Sequence, residues 1–518
     1  MRRLLQALIG IVFAVRDARR LGDAIFRLLG FVLLVMAALS LWVIDSWLLA
    51  GTAALFHTAM ALVFRSPAFR RLPASMVFAV NVVVFLALPI LYIGYLGPSY
   101  DFVVRFGASG TNQEYFEALP WAIRSLLICL LVLIAGCLAG NAATAAFRRA
   151  LPGGSYARRP MVLAALGLLV AIVTIIDNNS LFEAMAGELT RIPGLLPFLL
   201  LDHAYLMLFP FLLYGAAPSL QQLKRFGPQV AFGFVLLTFV AVFVSATSKG
   251  ALLNVAWYFF VFPLAYFYRA GHRIYWPSRT VMVVAALAVM PLFVLAQSQR
   301  SANLYGEALD VGQALSSAFA GAGLAETATT IVDRLSSSFQ NYVMIAARFG
   351  PEPDPAYAAE FFNYLTKSLV NLVWLGTPYP EAYAPSSRLL AAVLDKGTLV
   401  GYDMFGFMMR SNTQPYTAIG TGLILFGFWA TTAVLFVAGF LFAVTYNLAP
   451  HFAIRACLLF VTNMFFQVYG AEPTVQLVLH LLLASTVMLL LSFRPQESSS
   501  RGRQAADAPA LTAASARS

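Results

Sequence analysis

Charge is scarce in this chain. Asp, Glu, Lys and Arg make up only 11% of its 518 residues, against 60% hydrophobic, and the mean hydropathy is +0.78. A soluble domain of this length needs far more charge to cover its surface, so that class is excluded. Cysteine is scarcer still. Cys129, Cys137 and Cys457 each fall inside or at the edge of an apolar run, without the spacing of a disulfide framework or a metal site. Short alternating strands do not recur, which argues against a membrane barrel. The apolar stretch from Leu4 to Val15 is followed at once by Arg16, Arg19 and Arg20. It lacks a small-residue cleavage site, so it does not read as a signal peptide. No internal or inverted repeat is visible. No Asp-x-Asp pair stands in any segment expected outside the membrane, so the sequence calls for no metal and no cofactor.

What the chain has in abundance is apolar runs of about 20 residues, the mark of a polytopic helical membrane protein. Spans are expected near 27–44, 47–64, 76–97, 125–146, 161–177, 195–216, 229–246, 251–268, 279–296, 419–445, 455–470 and 474–493, about twelve by the length rule. The expected fold is all-α, with one long external loop between spans nine and ten. Residues 1–20 are too short an apolar stretch to span and read as an interfacial helix on the cytoplasmic face. Residues 21–296 hold spans one to nine, 297–418 the loop, and 419–493 spans ten to twelve. Residues 494–518, rich in Ser, Ala, Arg and Gln, cannot bury enough surface to fold and read as a disordered cytoplasmic tail.

Arginine placement sets the expected orientation. Arg65, Arg70 and Arg71 follow span two; Arg148, Arg149, Arg158 and Arg159 follow span four; Lys224 and Arg225 follow span six; Arg269, Arg273 and Arg279 follow span eight. All fall on the side of the N-terminus, which the positive-inside rule makes cytoplasmic. The long loop carries 7 Lys/Arg and 10 Asp/Glu, a net −3, which against +11 for the whole chain leaves +14 elsewhere. Basic residues therefore serve topology and anionic lipid, not nucleic acid.

A loop of about 120 residues is too long to be a bare connection. One helix is expected from Glu326 to Phe349, stopped by Gly350 and Pro351. On it Arg334, Asn341 and Arg348 recur at steps of seven and form a positive stripe. Ile331, Leu335, Phe339, Tyr342 and Ile345 make an apolar face about a quarter-turn away. A second helix is expected near Ala356 to Trp374. The Pro/Tyr run from Thr377 to Pro385 cannot be helical. An arginine stripe among aromatics at the outer face suits an anionic headgroup; the plainer reading is a solvated face.

Outside the loop, Asp202 and His203 sit within span six, where an ionisable pair is either functional or a local anchor to a neighbouring helix. His57 and His480 read as satisfied core histidines. Asp177, Asn178 and Asn179 end span five. Lys249 stands in a tight turn between spans seven and eight, either snorkelling to the interface or placed to meet a lipid phosphate.

Thr247-Ser248-Lys249-Gly250-Ala251-Leu252-Leu253 resembles the Ser-Arg-Gly-Ala-Leu-Leu type segment of bacterial O-antigen and exopolysaccharide repeat-unit polymerases of the Wzy type. Arg300 stands where such polymerases often carry an arginine. Gly420-Thr421-Gly422-Leu423 through Phe426-Gly427 resembles their Gly-x-x-Phe-Gly segment. The long external loop matches too. Lysine replaces the usual arginine at 249, and Ala430 stands where a second glycine often follows.

The resemblance implies an oligosaccharide repeat on undecaprenyl pyrophosphate as substrate, the bilayer as its setting, and flippase and chain-length regulator proteins as partners. A sugar hydroxyl of one repeat would attack the anomeric carbon of the growing chain. Charge building on the pyrophosphate leaving group needs fixed cations, and Lys249, Arg300, Arg334, Arg348 and Arg410 are those at hand. The hydroxyl needs a proton acceptor, for which Asp333, Asp403, Glu326 and Asp310 are candidates. An O-antigen ligase shares this layout, but that family uses a histidine in the long loop, and none lies between Gln297 and Ala418. A twelve-helix transporter would need no large external domain and would show paired broken helices.

Overall fold

The computed structural model describes residues 13–100, 102, 111–147, 257–270, 273–279, 283, 321–349, 351–353, 399–402, 408–410, 417–449 and 452–467. These are mostly helical. Strand β1 (Phe13–Asp17) leads into α1 (Ala18–Val43), then α2 (Trp47–Arg65) and the one-turn α3 (Pro67–Arg70). Helix α4 runs through Ser75–Ser99 and α5 covers Asn112–Ala143. A π-turn at Trp257–Val261 opens α6 (Phe262–Ala270), followed by β2 (Arg273–Pro277) and α7 (Gly321–Phe349). Strands β3 (Leu399–Tyr402) and β4 (Met408–Arg410) precede α8 (Ala418–Leu448) and α9 (Phe452–Gln467). Five of these, α1, α2, α4, α5 and α8, are long and apolar enough to cross a membrane. They coincide with the first four and the tenth of the expected spans. The spans expected at 161–177, 195–216, 229–246 and 474–493, and all but two residues of 279–296, lie outside the described residues.

Local signals explain where the helices begin and bend. Asp17 accepts from the Arg20 N–H at 2.9 Å and caps α1. Thr111 and Glu114 form a reciprocal capping box at the start of α5. In α4 a π-turn at Val83–Ala87 lies just ahead of Pro89. Proline has no N–H and crowds the carbonyl four residues back, and a wider turn relieves both. His57 bridges this wider turn to α1. Its Nε2 donates to the Ala87 carbonyl at 3.0 Å and its Nδ1 faces Ser40 Oγ at 3.2 Å. It is the satisfied core histidine that its apolar setting suggested.

Helices α5 and α8 run parallel and touch along their length. A Cβ added at Gly136 would meet the Phe436 carbonyl, one at Gly140 the Phe440 carbonyl, and one at Gly439 the Leu133 carbonyl. This is small-residue packing, which brings helices together where hydrocarbon offers no hydrophobic drive.

The two ends of the bundle differ. At one end β1 pairs antiparallel with β2, Arg16 opposite Ile274 and Asp17 opposite Arg273. There Tyr268 donates to Asp23 at 2.7 Å and Arg70 lies 3.7 Å from the same carboxylate. Arg269 donates to Asn447, which in turn donates to Asn141 and Thr144. Arg455, 2% exposed, donates to the Tyr446 and Asn447 carbonyls and so satisfies acceptors left over at the end of α8. Of the arginine clusters expected on one side, the two within the described residues, at 65–71 and 269–279, thus lie at one end. At the far end Trp42, Trp47 and Trp429 are exposed, as in the aromatic belt of a membrane interface. Leu48, Leu55 and Leu62, seven residues apart on α2, are exposed as a lipid-facing stripe.

Three expectations are corrected. Residues 13–17 form a strand, not part of an interfacial helix, because their partner at 273–277 offers a backbone ladder. The fold is therefore not purely helical: the described residues include two two-stranded ribbons. The tenth span is not one helix. Gly427 breaks it at φ 69°, ψ 179°, between Ala418–Phe426 and the rod that continues to Leu448.

Candidate functional site

The far end of the bundle gathers the pieces. Helix α7, the first helix of the long loop, reaches Phe349 as the Gly350-Pro351 stop predicts, and begins at Gly321, five residues before the expected start. Its last third does not lie on the surface. Phe339 through Ala346 are all buried among α4, α5 and α8. Tyr342 donates to Ser125 Oγ at 2.8 Å, and Ser125 in turn donates to the Ala122 carbonyl at 3.0 Å. Burial in this apolar setting pushes the Tyr342 phenol well above its ordinary pKa, so it stays a neutral donor.

Just past α7, the chain docks on the break in α8. Phe428, whose N–H is released by the break, donates it to the Pro351 carbonyl at 3.0 Å. The Trp121 and Phe428 rings meet edge to face at 5.3 Å. A Cβ at Gly427 would meet the Pro351 oxygen at 2.5 Å and Pro353 at 2.9 Å, and one at Gly422 would meet Thr431 at 2.6 Å. Residues 422 and 431 would lie about 13 Å apart along a straight helix, so their contact shows how sharply the chain bends. Gly422 and Gly427, two of the three glycines in the sequence segment singled out above, serve this bend. Thr417 caps its leading helix by accepting from the Gly420 N–H at 3.2 Å. With Trp429 77% exposed, the break sits at the level of the tryptophan belt.

The candidate residues fall as follows. Arg348 is exposed on the last turn of α7, within electrostatic reach of Tyr115. Asp333 is half-buried on the same helix. The two are 15 residues, about 22 Å, apart along the axis, so they do not act on one atom. Glu326 and Arg334 lie on α7, and Arg410 lies in β4 opposite Leu399; for these three the backbone alone is described. Asp202, His203, Lys249, Arg300, Asp310 and Asp403 lie outside the described residues, as does Arg388 of the loop. The positive stripe is interrupted: Asn341 is fully buried, while Arg348, seven residues on, is exposed. A seven-residue repeat puts residues on one face, but the neighbours of that face change from bundle to solvent along α7.

Sequence reasoning missed Trp121, the Tyr342–Ser125 bond and Glu352. Glu352 is an exposed carboxylate between two prolines at the docking point. Glu117 and Arg124 are exposed on the same end of α5, so the rim carries both signs of charge. The Pro351-Glu352-Pro353 sequence was the available signal, since a carboxylate between two prolines is held on a stiff backbone. Gln340, fully buried, has neither amide atom hydrogen-bonded, a costly state that groups with a polar task tolerate. No group of His, Cys, Asp and Glu among the described residues could hold a metal ion.

Comparison with known proteins returns no match: no family model, no curated protein and no solved structure is similar to the chain.

Proposed function

We propose that the chain is a membrane glycosyltransferase that polymerises lipid-linked oligosaccharide repeat units at the periplasmic face of a bacterial inner membrane. Undecaprenyl pyrophosphate is the leaving group. Both termini then lie in the cytoplasm, since the arginine-rich end carries β1 and the positive-inside rule makes that end cytoplasmic. The observation that carries the reading is the docking of the loop helix on the broken helix. Gly427, in the segment that resembles the polymerases, is bent against Pro351 of the long loop at the tryptophan belt. That is the depth at which a lipid-borne pyrophosphate lies.

In this reading a sugar hydroxyl forms the new bond to the anomeric carbon as the bond to the pyrophosphate oxygen breaks. The proton passes to a loop carboxylate, one of Asp310, Glu326, Asp333 and Asp403. The electron pair stays on the pyrophosphate, where Lys249, Arg300 and a loop arginine offset its charge. Arg334 and Arg348 lie on one continuous helix, about 21 Å apart. One of them meets the pyrophosphate and the other the glycan. The chemistry needs flexible access from the bilayer, and exposed Arg348 at the helix end is the better placed of the two.

Deleting the gene tests the assignment. Single lipid-linked repeats without long polymer are expected. Full-length polymer left unattached to its final acceptor would make the protein a ligase. Unchanged chain length together with substrate uptake into proteoliposomes would make it a transporter.

A further inference from the structure

A cavity of about 350 Å³ opens in the arginine-rich half of the bundle, far from the docking point. Its walls come from the start of α4, the second half of α5, α8 and α9, and include Phe78, Leu133, Ala438, Leu441, Phe442 and Phe466. Its volume falls in the ordinary range of small-molecule sites, about 300–1,000 Å³. Two of its few polar groups are spent: Ser75 donates to the Arg70 carbonyl and Thr462 to the Leu458 carbonyl. A trapped water needs two to four polar partners, so this lining suits hydrocarbon.

The mouth identifies the source of that hydrocarbon. Leu441 lines the cavity and is also 56% exposed. It belongs to an exposed apolar stripe with Val434, Val437 and Leu448 on α8, the face that meets lipid. Exposed Arg71 immediately precedes the lining residues Leu72, Pro73 and Ala74 in the chain. An apolar slot with an exposed lipid-facing wall residue, and an exposed cation one residue from its lining, matches a chain attached to an anionic headgroup.

We propose that this cavity takes one acyl chain of an anionic phospholipid from the leaflet on the arginine-rich side, with Arg71 at its phosphate. The site is independent of the glycan chemistry and stands whether or not the polymerase reading does.

The test uses the full chain in phosphatidylcholine vesicles doped with phosphatidylglycerol or phosphatidylcholine carrying a mid-chain diazirine. After photolysis the labelled peptides are mapped. Label is expected on 438–445 and 458–466, stronger for phosphatidylglycerol by about fivefold, the usual effect of one surface cation. Ala438→Trp and Thr462→Phe fill the cavity from two walls, and each should remove that label while leaving label on the α2 stripe unchanged. The α2 label reports that the variant is still folded. Arg71→Gln should equalise the two headgroups without loss of chain labelling. Label that survives both filling variants overturns the cavity assignment. Equal labelling by both headgroups in the unaltered protein overturns the role of Arg71. Displacement of the label by undecaprenyl phosphate, but not by phosphatidylglycerol, would make the occupant an isoprenoid and overturn the proposal.

Discussion

Gly427→Ala tests the docking of the loop on the broken helix. At φ 69°, ψ 179° the residue occupies a region that is essentially reserved for glycine, and holding a side chain there costs about 1–3 kcal/mol. The new Cβ would also stand 2.5 Å from the Pro351 oxygen, the acceptor of the Phe428 N–H. Keeping the bend means moving Pro351 away and leaving that N–H unpaired, which costs about 1–3 kcal/mol more. The cheaper relief is for α8 to straighten and release residues 351–353. The two costs together make a loss of about 2–6 kcal/mol, roughly thirtyfold to ten-thousandfold in the docked population. Hydrogen exchange followed by mass spectrometry, on protein in lipid nanodiscs, reads this at the peptide containing Phe428, where exchange should accelerate by that factor. Gly51→Ala is the control, since a Cβ there meets nothing within 4 Å; it should leave exchange at Phe428 unchanged. Polymer length in cells should collapse for Gly427→Ala alone. Unchanged exchange at Phe428 would refute the structural reasoning. Accelerated exchange with normal polymer would refute the link between the docking and the proposed reaction.

Four further outcomes are expected. A phosphatase fused at Ala384 should be active and one at Gly154 silent; the reverse would overturn the orientation. Gly140→Val pushes a branched side chain into the Phe440 carbonyl and should cost about 1–3 kcal/mol of stability by overpacking, read as a lowered unfolding temperature in detergent. Tyr342→Phe loses one buried bond while Ser125 keeps Ala122, so the cost should be about 0.5–1.5 kcal/mol, and a Ser125→Ala background should abolish the difference. Lys249→Ala and Arg300→Ala should each cost about 2–4 kcal/mol of transition-state stabilisation, seen as short polymer at matched protein level, with Arg388→Ala near normal; normal polymer from both variants would end the cation mechanism.

Much of the helical layout was legible because apolar length is a local property. The spans expected at 47–64 and 76–97 match α2 and α4 within a few residues. The starts of α1 and α5 were placed too late, by 9 and 13 residues. Their first turns are polar and capped, so a rule that counts apolar residues cannot see them. What escaped was long-range. Strand β1 finds its partner about 260 residues away, and its own sequence reads equally well as a short apolar helix. The break at Gly427 depends on Pro351, which lies in another part of the chain. The glycine segment was singled out by resemblance, but only the structure shows that its glycines allow a bend and a close approach. Asn341 was read as part of an exposed stripe because spacing gives a face and not what covers it.

The packing also fixes which ends of the described helices lie together. Helices α5 and α8 run parallel, with 136 beside 436 and 140 beside 440, and both end at the arginine-rich end, where Asn447 bonds Asn141 and Thr144. Helix α6 ends there too, beside Asp23 and Asn447, and strand β1 pairs there with β2. Each placement follows from hydrogen bonds and close contacts, and none uses hydropathy. Together they leave the break at Gly427, and the Pro351 carbonyl that docks on it, at the opposite end of the bundle, the end that a lipid-borne substrate must reach in the proposed reaction.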